Sequence, residues 1–297
     1  MPATISWPFT VPGGTDRFMS TLNGIPIWQV DAFADRPFSG NPAAICLLDA
    51  PGETQWMQDV AAELNLSETA FVLPAGRPNE FHLRWFTPAV EVDLCGHATL
   101  GAAHTLIEQK RVDPSRPIRF QTRSGCLSCQ CEGPSITMDF PATPPSNAVD
   151  PATIDDLQVA LGVAVNHAAK SNEDVFAVVD SEQTLRTVCP DFGRLAKIET
   201  RGVIITAASS AVGVDFVSRF FAPRCGINED PVTGSAHCCL APCWSQRLGR
   251  SSLTGYQASP RGGVVQTEVV GDRVQLSGQA VTVMEARFLI DAMPTKS

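Results

Sequence analysis

The chain has 297 residues, 44% of them apolar and 18% charged, and carries a net charge of −9. Such a length and composition describe a folded protein with two domains, or one domain with two lobes, and exclude a disordered chain. The acidic balance argues against nucleic acid and anionic membrane as main partners, because phosphate backbones need a basic surface, and it leaves a small molecule as the expected ligand.

Residues 1–23 have no basic start followed by an apolar core, so they read as an N-terminal extension rather than a signal peptide. No run of about 18 to 20 apolar residues offers a membrane helix, and the expected location is the cytoplasm. After the extension, "IPIWQVDAF" is a strand, and "ADRPFSGNPAAICLL" is a Gly-Asn-Pro turn leading into another apolar run. In "ETQWMQDVAAELN", Trp56, Met57, Val60, Ala61 and Leu64 recur at helical spacing, and the pattern stops near Asn65. Strands follow at "ETAFVLP" and "FHLRWFTP", then a helix from His97 to about Lys110, then short strands at "IRFQTR", "LSCQCE" and "SITMDFP".

The Pro-rich stretch "FPATPPSNAVDP" breaks both helix and sheet. It divides the chain into a first lobe over 24–142 and a second over 143–297, with the last strand free to return to the first lobe. Beyond it come a helix at "ATIDDLQVALG", strands at "VFAVVD", "GVIITAAS" and "VDFVSRFFAP", and a helix beginning near Gly234. Three more strands follow, at "VVQTEVV", "RVQLSG" and "VTVMEARFLI". Pro242, about two turns into that helix, is expected to kink or end it. Strands outnumber helices and their spacings suit antiparallel pairing.

The chain also repeats itself. "RWFTP" at Arg84 to Pro88 recurs as "RFFAP" at Arg219 to Pro223, and each is followed by a polar loop, a glycine (Gly96, Gly234) and a helix. Two lobes related by a pseudo-twofold axis can therefore turn two helix starts toward one cleft. Free N–H groups and positive dipole ends favour an anion there, and a small carboxylate is the expected substrate. The same donors can stabilise an enolate formed when a proton leaves the neighbouring carbon.

Acid and base candidates lie close to these elements. Glu68, at the start of an apolar strand, can give a proton as well as take one, although a cap in the turn is the alternative. Asp230 precedes a proline and the second helix start, where a turn aspartate is the alternative. Glu91 and Asp93 are expected to be solvated. His97 opens the first helix, where the dipole favours a neutral ring that polarises or relays. His104 can be a core residue, His82 and His167 fall in a strand and a loop without evident partners, and His237 is a weaker candidate. The ten cysteines, in a chain without an export signal, are expected as thiols. "CLSCQC" and "CCLAPC" lie in a strand and a helix rather than on zinc knuckles, so no metal is expected.

Taken together, "VDAFADRPFSGNPAAI", "LNLSETAFV", "LRWFTPAVEVDLCGHATLGAAH", "RFFAPRCGINEDPVTGSAH" and "SPRGG" resemble the PhzF-like, phenazine biosynthesis-like proteins. The resemblance runs from about Ile27 to Leu289. It implies an α+β, diaminopimelate-epimerase-like fold of two similar lobes, each a curled, mostly antiparallel sheet around a central helix. It implies a cofactor-independent isomerase acting on a small carboxylate as a homodimer, with Glu68 moving a proton between carbons. His97 and Asp230 join it in catalysis, and Asn41, Gly96, Gly234 and Ser235 bind substrate. Related epimerases and proline racemases use two cysteines. Cys95 occupies one such place, but "DPVT" before Gly234 has none, so two-thiol chemistry is disfavoured. A non-catalytic binding or scaffold protein on the same fold is the other reading.

Overall fold

The structure, a computed structural model, describes residues 24–289, and the expected N-terminal extension lies outside them. β1 (Ile25–Ala32) and β2 (Asn41–Leu47) pair antiparallel. α1 (Thr54–Leu64) then crosses to β3 (Glu68–Pro74), which runs parallel to β2. β4 (Glu80–Phe86) turns back along β3, and the short β5 (Glu91–Val92) closes on its end. α2 (Gly96–Glu108) leads to β6 (Ile118–Thr122), parallel to β4, and β7 (Gly125–Glu132) and β8 (Ser135–Pro141) complete a meander.

The linker holds β9 (Asn147–Ala148) and α3 (Pro151–Leu161), after which the same order returns. β10 (His167–Ser171) and β11 (Asp174–Val178) form a hairpin, and α4 (Glu182–Thr187) and α5 (Phe192–Leu195) cross to β12 (Val203–Ala208), parallel to β11. β13 (Phe216–Ala222) and β14 (Ile227–Asp230) precede α6 (Gly234–Leu248), which leads to β15 (Ser252–Gln257), parallel to β13. β16 (Gly263–Val270) and β17 (Arg273–Gly278) finish the second meander, and β18 (Ala280–Phe288) pairs with β1. The halves join where β17 pairs antiparallel with β8.

Each lobe is thus a sheet with parallel steps at corresponding places (β2/β3 and β4/β6, β11/β12 and β13/β15), curled around one central helix. α2 shows why it sits inside. His97 through Ala103, Thr105 and Leu106 are all buried, a pattern apolar on nearly every face that a surface helix does not have. Its small residues let the sheet approach closely: a methyl group on Gly101 would lie 3.2 Å from Ile45 Cδ1. Both helices begin at the same point. A methyl on Gly96 would lie 3.6 Å from Gly234 Cα, and the reverse distance is also 3.6 Å.

The structure departs from the sequence reading at three places. α6 runs unbroken through Pro242 to Leu248. The carbonyl that Pro242 cannot satisfy, Cys238 O, accepts instead from the Thr143 N–H of the linker at 3.0 Å, so the missing bond is replaced and the helix continues. Second, α4 and α5 are helices of six and four residues, too short to show a 3.6-residue period. Third, His167 opens β10 instead of lying in a loop.

Candidate active site

Parallel pairing of β2 and β3 sets Ala43 opposite Glu68, so Asn41 and Glu68 lie at the same end of the sheet. The start of α2 brings His97 to them. Its Nε2 lies 3.0 Å from Glu68 Oε2. On the ring's other side, Asn41 Nδ2 lies 3.2 Å from Nδ1, and it donates to Asp230 Oδ1 at 2.8 Å and to Val232 O at 2.9 Å. Asn41 therefore ties the first-lobe histidine to the second-lobe aspartate.

Asp230 is fixed in turn. Thr233 Oγ1 donates to its Oδ2 at 2.5 Å, and Gln257 Nε2 donates to its backbone carbonyl at 2.7 Å. Gln257 Oε1 accepts from the Thr233 N–H at 2.9 Å. Gln257 escaped the sequence reading, though it left a trace: Leu253, Gly255 and Gln257 are the inward positions of β15, and one of them is an amide. A second cross-lobe clamp holds the turn before Asn41. Arg261, from "SPRGG", donates to Asp31 Oδ1 at 2.7 Å, Gly40 O at 2.8 Å and Ser39 O at 3.0 Å, while Asp31 also accepts from the Phe38 N–H at 2.7 Å.

Of the residues singled out in the sequence, Glu68, His97, Asp230 and Asn41 form this connected cluster, and Gly96 and Gly234 meet beside it at the helix starts. Ser235 is in the first turn of α6, but its hydroxyl accepts from Arg201 Nη2 at 3.1 Å, and Arg201 is paired with Asp174. The N-caps of α2 and α6, Cys95 and Thr233, make no side-chain bond to their own first turns. Glu53 before α1 makes none either, whereas Asp150, Ser181 and Asp191 cap α3, α4 and α5 in that way. The first turns at the cluster thus keep N–H groups without a capping side chain.

The electrostatics follow from the packing. Burial works against a charged His97, but the facing Cys95 sulfur and Glu68 carboxylate outweigh it and hold the ring's pKa well above its ordinary value. The helix dipole favours a neutral ring, and these two neighbours act against it. Cys95 Sγ lies beside the ring, 3.6 Å from Nδ1 and 4.0 Å from Nε2. Burial pushes the Cys95 thiol up, and the Glu68 charge adds to this. Burial likewise raises Asp230 to about 6, with His97 acting against it and Glu68 with it.

The other histidines and acids take structural places. His104 Nε2 sits 3.3 Å from Glu108, and Glu91, instead of being solvated, accepts from Arg84 Nε and Nη2 at 2.7 and 2.9 Å. His237 is fully buried beside Phe216, with Nδ1 2.8 Å from Thr233 O, and burial lowers it to about 4. A groove of about 370 Å³ lined by Leu48, Met57, Phe71 and His82 contains none of the clustered groups.

His237 gives a pH prediction. An unfolded histidine titrates near 6.5, so between that pH and about 4 the unfolded chain binds a proton that the folded chain refuses, and stability falls on acidification. By pH 5 the cost is about 2 kcal/mol. Asp230 has the opposite sign: its contribution is full below its ordinary value and is lost as pH rises through about 6. Urea unfolding of His237→Leu should therefore show a gain over the parent of about 2 kcal/mol on going from pH 7 to pH 5. An equal difference at both pH values refutes this.

The family model for phenazine biosynthesis-like proteins, PhzC-PhzF, matches residues 30–286. An uncharacterized isomerase of Pseudomonas aeruginosa is 52% identical over 260 residues, spanning 88% of this chain and 97% of that protein. Another, from Halalkalibacterium halodurans, is 46% identical over 266 residues, spanning 89% and 98%. The crystal structure of a PhzF-family phenazine biosynthesis protein from Enterococcus faecalis superposes with a TM-score of 0.82 at 40% identity, covering 88% of this chain and 98% of that one.

Proposed function

The chain belongs to the phenazine biosynthesis-like PhzC-PhzF family, and from that premise we propose that it is a cofactor-independent isomerase that moves a proton between carbons of a small carboxylate, with Glu68 as acid and base. The observation that carries this reading is the 3.0 Å approach of Glu68 Oε2 to His97 Nε2 beside two uncapped helix starts. A base, a proton partner and an anion-binding surface stand together there.

The substrate carboxylate lies against the first-turn N–H groups of α2 and α6, at Gly96 and Gly234. Glu68 removes a proton from the carbon beside it, and the electron pair left behind spreads into the carboxylate, where the same donors hold the added negative charge. The Glu68 carboxylic acid returns the proton to a different carbon, so bonding shifts and the atom count does not. His97 shares a proton with Glu68 between these steps. Asp230 and Asn41 orient the ring, and Ser235 supplies its backbone to the helix start. A homodimer in the cytoplasm belongs to the same reading.

Proton NMR in D₂O with a panel of small carboxylates, amino acids and cyclohexadienyl acids included, tests it. Deuterium should enter a carbon position of at least one compound. Tight binding of a panel member to folded protein, without exchange at any carbon, would refute the isomerase and favour a binding protein.

A further inference from the structure

We propose that Arg201 is a positioning residue which, held by Asp174, makes the Ser235 hydroxyl a hydrogen-bond donor to the substrate carboxylate. The place of that carboxylate, at the helix starts, rests on the reading above; the bonds around Ser235 stand without it. Arg201 takes in the second lobe a place close to that of Glu68 in the first. Ser235 follows Gly234 as His97 follows Gly96. Val203 pairs with Phe221 as Thr69 pairs with Phe86, on the strands that carry "RFFAP" and "RWFTP", so the counterpart of Glu68, one residue earlier, is Gly202. A methyl group on Gly202 would run into the Phe220 ring, and no acid fits there. Arg201 lies over that ring instead, its guanidinium carbon 5.6 Å from the centroid, and its Nη2 reaches Ser235 Oγ at 3.1 Å. Where the first lobe sets a carboxylate against an imidazole, the second sets a guanidinium against a hydroxyl.

The guanidinium is held from several sides. Its Nε and Nη2 donate to Asp174 Oδ1 and Oδ2 at 2.9 and 2.5 Å, and the Asp174 side chain is only 5% exposed. A forked pair of this kind fixes the plane of the guanidinium as well as its distance. The backbone beneath is tied too: the Arg201 N–H donates to Glu173 O at 2.9 Å, and its carbonyl accepts from Cys225 Sγ at 3.7 Å. The bond to Ser235 is therefore built into the lobe.

A serine hydroxyl has one proton and two lone pairs, and a guanidinium only donates. The Arg201 bond thus uses a lone pair of Ser235 Oγ and leaves its proton for another partner. Within a helix that proton often turns back to the carbonyl four residues earlier, as the Thr99 hydroxyl does to Cys95 O at 2.6 Å. For Ser235 the carbonyls three and four residues back are Val232 O and Pro231 O. They already accept from Asn41 Nδ2 at 2.9 Å and from Ser259 Oγ at 2.7 Å. Among the described residues the Ser235 hydroxyl accepts from Arg201 and donates to nothing. A carboxylate oxygen at the start of α6 is the acceptor that completes it. Because a hydrogen bond to an ionised acceptor is about twice as strong as one to a neutral acceptor, this donor selects a carboxylate over its amide.

The test uses the full chain and two probes, benzoate and its uncharged analogue benzamide, with affinities measured by calorimetry. Benzoate should bind the parent, and Ser235→Ala should weaken it by about 10-fold, the scale of a hydrogen bond to a charged group. Arg201→Met joined to Asp174→Leu replaces the ion pair by apolar groups, an exchange that folded proteins tolerate, and it should weaken benzoate by a similar factor. Adding Ser235→Ala to that pair should weaken it no further, because both changes remove the same donor. Circular dichroism establishes that each variant is folded, and Arg201→Lys takes the place of the pair if that is not. Losses that multiply when the changes are combined make Arg201 a structural residue and overturn the proposal. Benzoate that fails to bind the parent, or binds either variant undiminished, overturns it too, and equal losses for benzamide overturn the selection of a carboxylate. Carbon-bound exchange that survives Glu68→Gln, with the benzoate pattern as expected, refutes the acid/base reading and leaves Arg201 in its role. Multiplying losses in a protein whose exchange is lost in Glu68→Gln do the reverse.

Discussion

Glu68→Gln should leave a folded protein whose carbon-bound hydrogen exchange falls by about 10³-fold, the scale at which a positioned acid or base contributes. Glutamine keeps the length of the side chain and can still face His97, but an amide neither takes up nor returns a proton at neutral pH. The loss should appear in the catalytic rate, with substrate affinity nearly kept, because the substrate carboxylate rests on the helix starts of α2 and α6. Single-turnover exchange in D₂O, together with substrate binding measured separately, checks both halves. Undiminished exchange would show that Glu68 is not the carrier. Equal losses of affinity and rate would make it a binding residue.

Gly40→Ala should destabilise the fold by about 4 kcal/mol, near the upper end for a single substitution. Gly40 has φ +66, and a methyl group there runs into the Ala32 carbonyl oxygen and lies 2.9 Å from Ala34 Cβ. The turn has nowhere to move. The Gly40 N–H donates to Gly262 O at 2.6 Å, its carbonyl is held by Arg261, and Phe38 in the same turn is already in the left-handed region at φ 67. Gly76→Ala is the control, since it also changes a left-handed glycine, at φ +80, but meets nothing within 4 Å. It should cost about 1 kcal/mol. Urea unfolding of the two variants side by side decides: similar losses would mean that φ alone, and not the crowded turn, sets the cost.

The parts of this architecture written in local signals were legible. The strand, proline turn, glycine and helix that occur twice are β4 with α2 and β13 with α6, because hydrophobic period, turn chemistry and helix start each leave a mark within a few residues. Glu68, His97, Asn41 and Asp230 stood in such marks. What local signals do not carry is how distant segments meet. The Arg261 to Asp31 pair spans 230 positions, and Gln257 earns its place only because β15 lies under the Asp230 turn. Pro242 misled for the same reason. Its effect on the helix depends on whether another N–H reaches Cys238 O, and that donor, Thr143, belongs to the linker. Glu91 was placed in solvent because nothing adjacent in sequence reveals that Arg84 returns to it across the β4–β5 turn.

The pairing of β18 with β1 has a consequence during synthesis. β1 carries eight residues, Ile25–Ala32, and its partners on one side are Ala280–Phe288. β8 likewise waits for β17. On the ribosome, then, the first lobe emerges with two strand edges unpaired and keeps them so until β17 and β18 have been made, and such edges are templates for pairing with another chain. Nascent chains stalled with residue 142 just outside the exit tunnel should bind hydrophobic-segment chaperones and resist release, whereas chains carried on by a C-terminal linker and stalled with Phe288 outside it should not, so that β18 acts as the fastener that ends the polypeptide's dependence on them.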